Sequence, residues 1–134
     1  MRRLSMRALL VVSIFTAACN KPATLQAPAP GEVTIKIECL SDGGVSVVLT
    51  PWQVRLPNPA ASFTFTNLSS AVDIDITSQG PFPFNGQPHH ANHGNHVVAK
   101  PVPNTPPRTY KYNVNATCPG GRNIIIDPDM IIPN

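Results

Sequence analysis

The chain has 134 residues, with ten Lys and Arg, seven Asp and Glu, and sixteen Pro, so it is short for more than one domain and rich in Pro for a helical one. Three of the ten basic residues, Arg2, Arg3 and Arg7, lie at the N-terminus, and the remaining seven balance the seven acids. Because the body of the chain has no surplus positive charge to attract phosphate backbones, nucleic acid is not expected as a partner.

The N-terminus has the features of a secretory signal. A basic start leads into the apolar run 8–15, followed by the small residues Ala17 and Ala18 and then by Cys19. The run is shorter than the roughly 20 residues that a transmembrane helix needs, so it is not expected to stay as a membrane anchor. Small residues directly before Cys resemble the lipobox of bacterial lipoproteins, with Thr16 where that family usually has Leu.

The resemblance to bacterial lipoproteins implies three segments. Residues 1–18 would be a signal peptide, Cys19 would become the N-terminus and carry a lipid, and residues 19–31 would form a Pro- and Ala-rich tether before a domain at 32–134. Asn20, by similarity to the sorting signals of such lipoproteins, favours the periplasmic face of the outer membrane. Ordinary cleavage, with Cys19 as an unremarkable early residue, is the alternative.

From residue 32 onward, apolar side chains recur at every second position, which is typical of half-buried strands. Residues 78–107 break this rhythm with Pro, Gly, Asn and His, and only 96–99 could form a short strand there. No window has the periodicity of an amphipathic helix. The pattern predicts an all-β fold, a small two-sheet antiparallel or mixed sandwich, with strands over 33–39, 45–50, 52–56, 62–66, 72–77, 110–117, 123–126 and 130–132.

Two of the three cysteines fall in phase with the inward-facing side chains of these strands. Cys39 shares the parity of Ile35 and Ile37, and Cys118 shares that of Val114. If Cys19 carries lipid, Cys39 and Cys118 remain as a pair, and the compartments outside the cytoplasm permit a disulfide. We therefore predict a disulfide between Cys39 and Cys118, with two buried free thiols as the alternative.

Two segments resemble parts of the cupredoxin-like fold. Residues 63–73, FTFTNLSSAVD, resemble the strand–turn–strand that presents the first copper-binding His, and Thr109–Tyr112 resembles the strand leading into the ligand loop. The resemblance spans roughly residues 32–126 and implies that fold. A blue-copper site needs two His and a Cys, but Asp73 stands about where the first His is expected and Val114 about where the Cys is expected. The resemblance thus implies a relative without copper; an immunoglobulin-like topology is the alternative.

All four histidines of the chain lie in the segment PHHANHGNH at 88–96. Neutral imidazole is a common protein ligand for Zn, Cu and Ni ions, so the segment is a candidate metal site. Its Pro and Gly predict a loop, which would lose entropy on ordering around a metal. A polar, solvated loop that binds no metal is the interpretation favoured by composition alone. The candidate metal ligands are His89, His90, His93 and His96.

Few other residues suggest chemistry. Asp73 and Asp75 alternate on one predicted strand, where paired carboxylates could serve acid–base chemistry or hold a cation but more often form a solvent face. Trp52, Phe82 and Phe84 could form an aromatic binding patch, although a Trp in a small sandwich usually belongs to the core.

The sequence contains no Ser-centred elbow, phosphate-binding loop or paired CxxC motif, so no catalytic residue is predicted. The predicted function is that of a non-catalytic envelope lipoprotein. It would be a binding or accessory module that meets the membrane through its lipid and recognises an envelope protein or other ligand. No cofactor is expected beyond that lipid. A periplasmic metal-binding protein that uses residues 89–96 is the alternative.

Overall fold

The computed structural model describes residues 27–84 and 88–134. The predicted signal peptide (1–18), the predicted lipidation site Cys19 and the tether up to residue 26 lie outside the described residues. Across the two described ranges, no helix is long and apolar enough to cross a membrane.

Alternating apolar and polar residues form strands throughout these ranges, and tight turns connect several of them. The first hairpin turns at Asp42, whose carboxylate accepts a hydrogen bond from the Gly44 amide at 2.8 Å, and at Gly43, whose φ of 85° favours glycine. The strands are β1 (Glu32–Cys39), β2 (Val45–Thr50), β3 (Gln53–Arg55), β4 (Phe63–Asn67), β5 (Ile74–Ser78), β6 (His89–Ala91), β7 (His96–Ala99), β8 (Arg108–Cys118), β9 (Arg122–Ile126) and β10 (Asp129–Ile132).

The strands form two mixed sheets that pack as a sandwich, which confirms the predicted fold class. Sheet A has the order β2-β1-β4-β7, and sheet B has the order β3-β10-β8-β5-β6, with β9 paired to the second half of β8. The β1–β4 and β3–β10 pairs are parallel, and the other pairs are antiparallel. The finer choice between a cupredoxin-like and an immunoglobulin-like topology stays a prediction.

The core lies between the inner faces of the two sheets. In β4, Phe63 and Phe65 are fully buried and alternate with the half-buried Thr64, as the period of two requires. The Phe65 ring meets Tyr112 of β8 across the sandwich, with 5.4 Å between ring centroids. Burial of each such ring contributes about 1.5–3 kcal/mol, so these aromatic contacts are a main source of sheet-to-sheet stability.

A disulfide joins Cys39, the last residue of β1, to Cys118, the last residue of β8, with 5.8 Å between their Cα atoms. The predicted pairing is confirmed, and the alternative of two free thiols is wrong. The bond links sheet A to sheet B at one end of the sandwich, which we call the disulfide end. The register places the end of β4, the start of β5, the end of β6 and the start of β7 at this same end.

Two predictions about individual segments are wrong. Residues 89–91, expected in a loop, form β6, because Ile74 to Ile76 of β5 supply a partner strand in register. The sequence HHA has no apolar alternation that would reveal this pairing. Trp52, expected in the core, is 49% exposed, because it lies in the short link between β2 and β3, outside the regular strands.

Candidate functional site

Two aspartates and two histidines meet on the surface at the disulfide end, in an arrangement that we call the Asp–His cluster: Asp73, Asp75, His90 and His93. The antiparallel register of β5 and β6 sets Asp75 directly opposite His90, so their side chains share one face of sheet B. Asp73 lies just before β5, and His93 lies in the turn after β6. Asp73, Asp75 and His90 line an open depression of about 320 Å³ together with Ala71, Asn115, Ala116 and Thr117.

Asp73 holds the loop that follows β6. Its Oδ1 accepts a hydrogen bond from the His93 backbone amide at 2.9 Å and lies 2.8 Å from Nδ1 of the same residue. These hydrogen bonds, together with the charge of the nearby imidazoles, lower the pKa of the Asp73 carboxyl below its ordinary value. The carboxylate is therefore ionised at neutral pH, and its Oδ1 is already hydrogen-bonded to His93.

His90 has an oxygen acceptor at each ring nitrogen. Its Nδ1 lies 2.8 Å from Asp75 Oδ1, and its Nε2 lies 3.0 Å from Asn92 Oδ1. Asp73 Oδ2 is also 4.0 Å from Nε2. Because the protonated imidazole can donate at both nitrogens, the bonds to Asp75 and Asn92 raise the pKa of His90.

The buried side-chain amide of Asn67 positions the backbone segments that carry the cluster. Asn67, at the end of β4, is fully buried, and its Nδ2 donates to the carbonyls of Val72 at 2.8 Å and Ala91 at 3.1 Å. Its Oδ1 accepts from the Ser69 amide at 3.0 Å. These bonds fix the segment just before β5 and the end of β6. The sites of Asp73 and His93 are set by a satisfied polar core rather than by their own contacts alone.

The four candidate metal ligands do not share one environment. His89 points away from His90 on β6, and its half-buried ring lies edge-on to Phe84, with 5.1 Å between centroids. Burial lowers the pKa of His89. His96 begins β7 opposite Thr66 on the outer face of sheet A. Within the described part of the chain, no group of three or more His, Cys, Asp or Glu side chains is placed to hold a metal ion.

The positions assigned to copper ligands by resemblance carry other roles. Val114 is fully buried in the core, and Asp73 is the exposed carboxylate bonded to His93. The aromatic patch predicted from Trp52, Phe82 and Phe84 does not form on the surface, because Phe84 is buried among core rings.

Three polar residues near the cluster are not among the site residues predicted from the sequence: Asn92, Asn115 and Thr117. Asn92 caps the His90 ring, and the other two come from β8, whose register with β5 brings them beside Asp75. That register depends on which strand pairs with β8, and a period of two alone does not specify the partner.

A second concavity lies at the opposite end of the sandwich. It measures about 670 Å³ and is lined by the β3–β4 and β7–β8 loops, mainly Pro59, Pro101, Val102 and Pro103. Its lining is mainly apolar, with Lys100, Asn104 and Thr105 as its polar members. The Asp–His cluster offers more directed hydrogen-bonding groups, so it is the better candidate for recognition of a polar ligand.

Comparisons with protein-family models and with curated proteins found no match for this chain. The cluster presents carboxylate, imidazole, amide and hydroxyl groups on one open surface, which suits recognition of a polar ligand.

Proposed function

We propose that the protein is an exported, lipid-anchored and non-catalytic binding module of the cell envelope. The observation that carries the proposal is the Cys39–Cys118 disulfide between the two sheets, because structural disulfides persist in oxidising compartments and are rare in the cytosol. With these two cysteines paired, Cys19 is the one cysteine of the sequence left to carry lipid. The lipobox-like residues before it supply the second argument.

The depression at the Asp–His cluster is the proposed binding surface. Its carboxylates and His rings bind one another at 2.8 Å, and no hydroxyl or thiol of the described residues hydrogen-bonds to the rings of His90 and His93, so the cluster lacks the nucleophile–base pair of covalent catalysis. Exposed groups held in fixed positions lose little entropy when a ligand binds. This favours recognition of a polar partner over catalysis.

The anchor is tested by feeding cells a labelled fatty acid and following the chain through membrane fractionation. We expect label on the wild-type chain and its recovery with the membranes, and loss of both in Cys19→Ser. A Cys39→Ser, Cys118→Ser double variant is the control, since it retains the lipidation site. An unlabelled wild-type chain in the soluble fraction contradicts the lipid anchor.

The binding surface is tested by placing a photo-crosslinking residue at Thr117, beside the cluster, or at Ala60, beside the apolar concavity at the other end. We expect one discrete crosslinked product in cells from position 117 and none from position 60. The additional change Asp73→Asn with Asp75→Asn should remove that product. A product from position 60 alone would place recognition elsewhere.

Metal binding is the second candidate function, and one observation favours it. The Nδ1 atom of His93 lies 2.8 Å from Asp73 Oδ1, and metal-ligating histidines commonly use such a carboxylate to orient the ring while Nε2 binds the ion. His90 has the same arrangement with Asp75, but its Nε2 would have to exchange Asn92 Oδ1, 3.0 Å away, for the ion. Calorimetry with Cu(II), Zn(II) and Ni(II) tests it. Sub-micromolar affinity that is lost in His90→Ala with His93→Ala, but retained in His89→Ala with His96→Ala, would support metal binding.

A further inference from the structure

The edge of sheet A formed by β2 has no partner strand among residues 27–84 and 88–134. Three features of this strand favour pairing with another chain. It is six residues long, it has no charged side chain, and Pro appears only after its end, at Pro51. Exposed edge strands usually carry a charge, a Pro or a bulge that prevents pairing with other chains. The other edge, β7, is shorter and is followed directly by Lys100 and Pro101.

The hydrogen bonds already made by β1 show which backbone groups of β2 face outward. The Leu40 amide donates to the Gly44 carbonyl at 2.8 Å, which continues the β1–β2 register by one pair. Bonded pairs alternate along an antiparallel ladder, so Ser46, Val48 and Thr50 point their backbone groups at β1. The opposite side of β1 agrees, because the Ile35 carbonyl accepts from the Leu68 amide on the β4 side.

The free N–H and C=O groups at the edge therefore belong to Val45, Val47 and Leu49. The side chains of the same three residues face the inside of the sandwich, since they pair with Cys39, Ile37 and Ile35 of β1. The inner face is incompletely covered at this edge, with Val47 still 40% exposed and the other two half-buried. Unused hydrogen-bonding groups and exposed apolar area thus coincide on the same residues.

We infer that β2 pairs antiparallel with β2 of a second copy of this chain, about a two-fold axis at Val47. In this register Val47 lies opposite Val47 of the other copy, and Val45 lies opposite Leu49. Every one of these pairs can exchange both backbone hydrogen bonds, because each residue in it directs its N–H and C=O outward. The same pairs form an apolar ladder that extends the inner faces of the two sheets.

A register shifted by one pair toward the C-terminal end of β2 is poorer. With Val48 on the axis, Val45 would lie opposite Pro51, which has no N–H to donate. The apolar spacing Val-x-Val-x-Leu is nearly the same in both chain directions, so the edge is complementary to an antiparallel copy of itself. Because the axis is two-fold and each copy uses its single β2 edge, the pairing closes at a dimer.

Sedimentation equilibrium of the full chain carrying Cys19→Ser, exported so that the disulfide forms, tests the inference. We expect a dimer at micromolar concentrations. Val47→Lys should weaken dimerisation by at least about tenfold, because it sets two ammonium groups opposite each other at the axis. Val98→Lys makes the same change on the outer face of the β7 edge and should leave the dimer intact. A monomeric parent chain, an open-ended series of oligomers, or equal effects of the two variants would overturn the inference.

If Val47→Lys fails to fold, a crosslinking measurement tests the proposed dimer and its register. In the proposed dimer the Cα atoms of the two Val47 residues are separated by about 5.5 Å, the spacing of a hydrogen-bonded antiparallel pair, which a disulfide can bridge. Val47→Cys should therefore yield a disulfide-linked dimer under mild oxidation. Ser46→Cys should not, because that residue lies opposite Val48 of the other copy. Equal crosslinking of the two variants, or none in Val47→Cys, contradicts the register.

Discussion

Asn67 and Asp73 accept hydrogen bonds from consecutive amides of the same loop. The Gly94 amide donates to the buried Asn67 carbonyl at 2.9 Å, and the His93 amide donates to the exposed Asp73 carboxylate, also at 2.9 Å. The loop crosses from sheet B to sheet A, so these two bonds fix the candidate site where the two sheets meet.

Asn67→Ala should destabilise the protein strongly. The substitution leaves the Val72 and Ala91 carbonyls without their donor in a fully buried site, and each unsatisfied group costs about 1–3 kcal/mol. We expect urea unfolding to show that the free energy of unfolding falls by roughly 2–4 kcal/mol. Asn123→Ala is the control, because that exposed side chain bonds only Thr117 within the described chain. Similar losses in the two variants would argue against the role given to Asn67.

Loss of the disulfide should lower stability without changing the fold. The Cys39–Cys118 bond spans 79 residues, and closing a loop of that length in the unfolded chain is worth about 4 kcal/mol in the chain-entropy description. We expect Cys39→Ala with Cys118→Ala to reduce the unfolding free energy by about 2–4 kcal/mol while the far-ultraviolet circular dichroism stays that of β-sheet. An unchanged urea midpoint would show that the bond is dispensable for stability.

Tyr112→Phe should leave stability unchanged or raise it slightly. The Tyr112 hydroxyl is buried and has no hydrogen-bond partner in the described residues, and burial raises its pKa. Removing an unpaired buried hydroxyl relieves a desolvation cost. Tyr110→Phe is the matched comparison, because the Tyr110 hydroxyl donates to the Pro106 carbonyl at 2.7 Å and its loss should cost about 1 kcal/mol. A larger loss for Tyr112→Phe than for Tyr110→Phe in urea unfolding would contradict this assignment.

His90 should titrate above 6.5 and His89 below it when the imidazole resonances are followed by NMR. Asp75→Asn should lower the pKa of His90, since the bond to Asp75 is the main cause of its rise, while Asp127→Asn should leave it in place. If the pKa of His90 is unchanged in Asp75→Asn, the pairing of His90 with Asp75 is contradicted.

The cluster also gives stability a pH dependence of defined sign. The folded pKa of His90 is raised, so its contribution is present below pH 6.5 and lost as pH rises through the folded value. The folded pKa of Asp73 is lowered, so its contribution is present above pH 3.8 and lost as pH falls through the folded value. We expect the difference in urea midpoint between wild type and Asp73→Ala with His90→Ala to be greatest between these two pH values.

The period of two along the chain was sufficient to predict the all-β class, most of the strands and the parity of both paired cysteines. It could not reveal β6, because His89 and His90 are polar and the strand depends on β5 for its partner. The exposure of Trp52 is not predictable from the sequence for a related reason: its apolar character favours the core, but its position between two strands on different sheets leaves it at the surface.

The candidate site was only partly accessible from the sequence. Asp73, Asp75 and the four histidines were identified as residues with possible chemistry, but their pairing follows from the registers of β5 with β6 and β8. Strand alternation fixes which face a side chain takes, and leaves open which strand lies beside it. The separation of His89 from His90 could have been predicted had residues 89–91 been assigned to a strand.

Intact-protein mass spectrometry of the chain recovered from cells tests the central claim, an exported sandwich joined by one disulfide and held to a membrane by lipid. We expect the mass of a chain that begins at Cys19, carries a diacylglycerol on that residue, and contains an oxidised Cys39–Cys118 pair. A chain that keeps residues 1–18, with an unmodified Cys19 and two reduced thiols at positions 39 and 118, would contradict it.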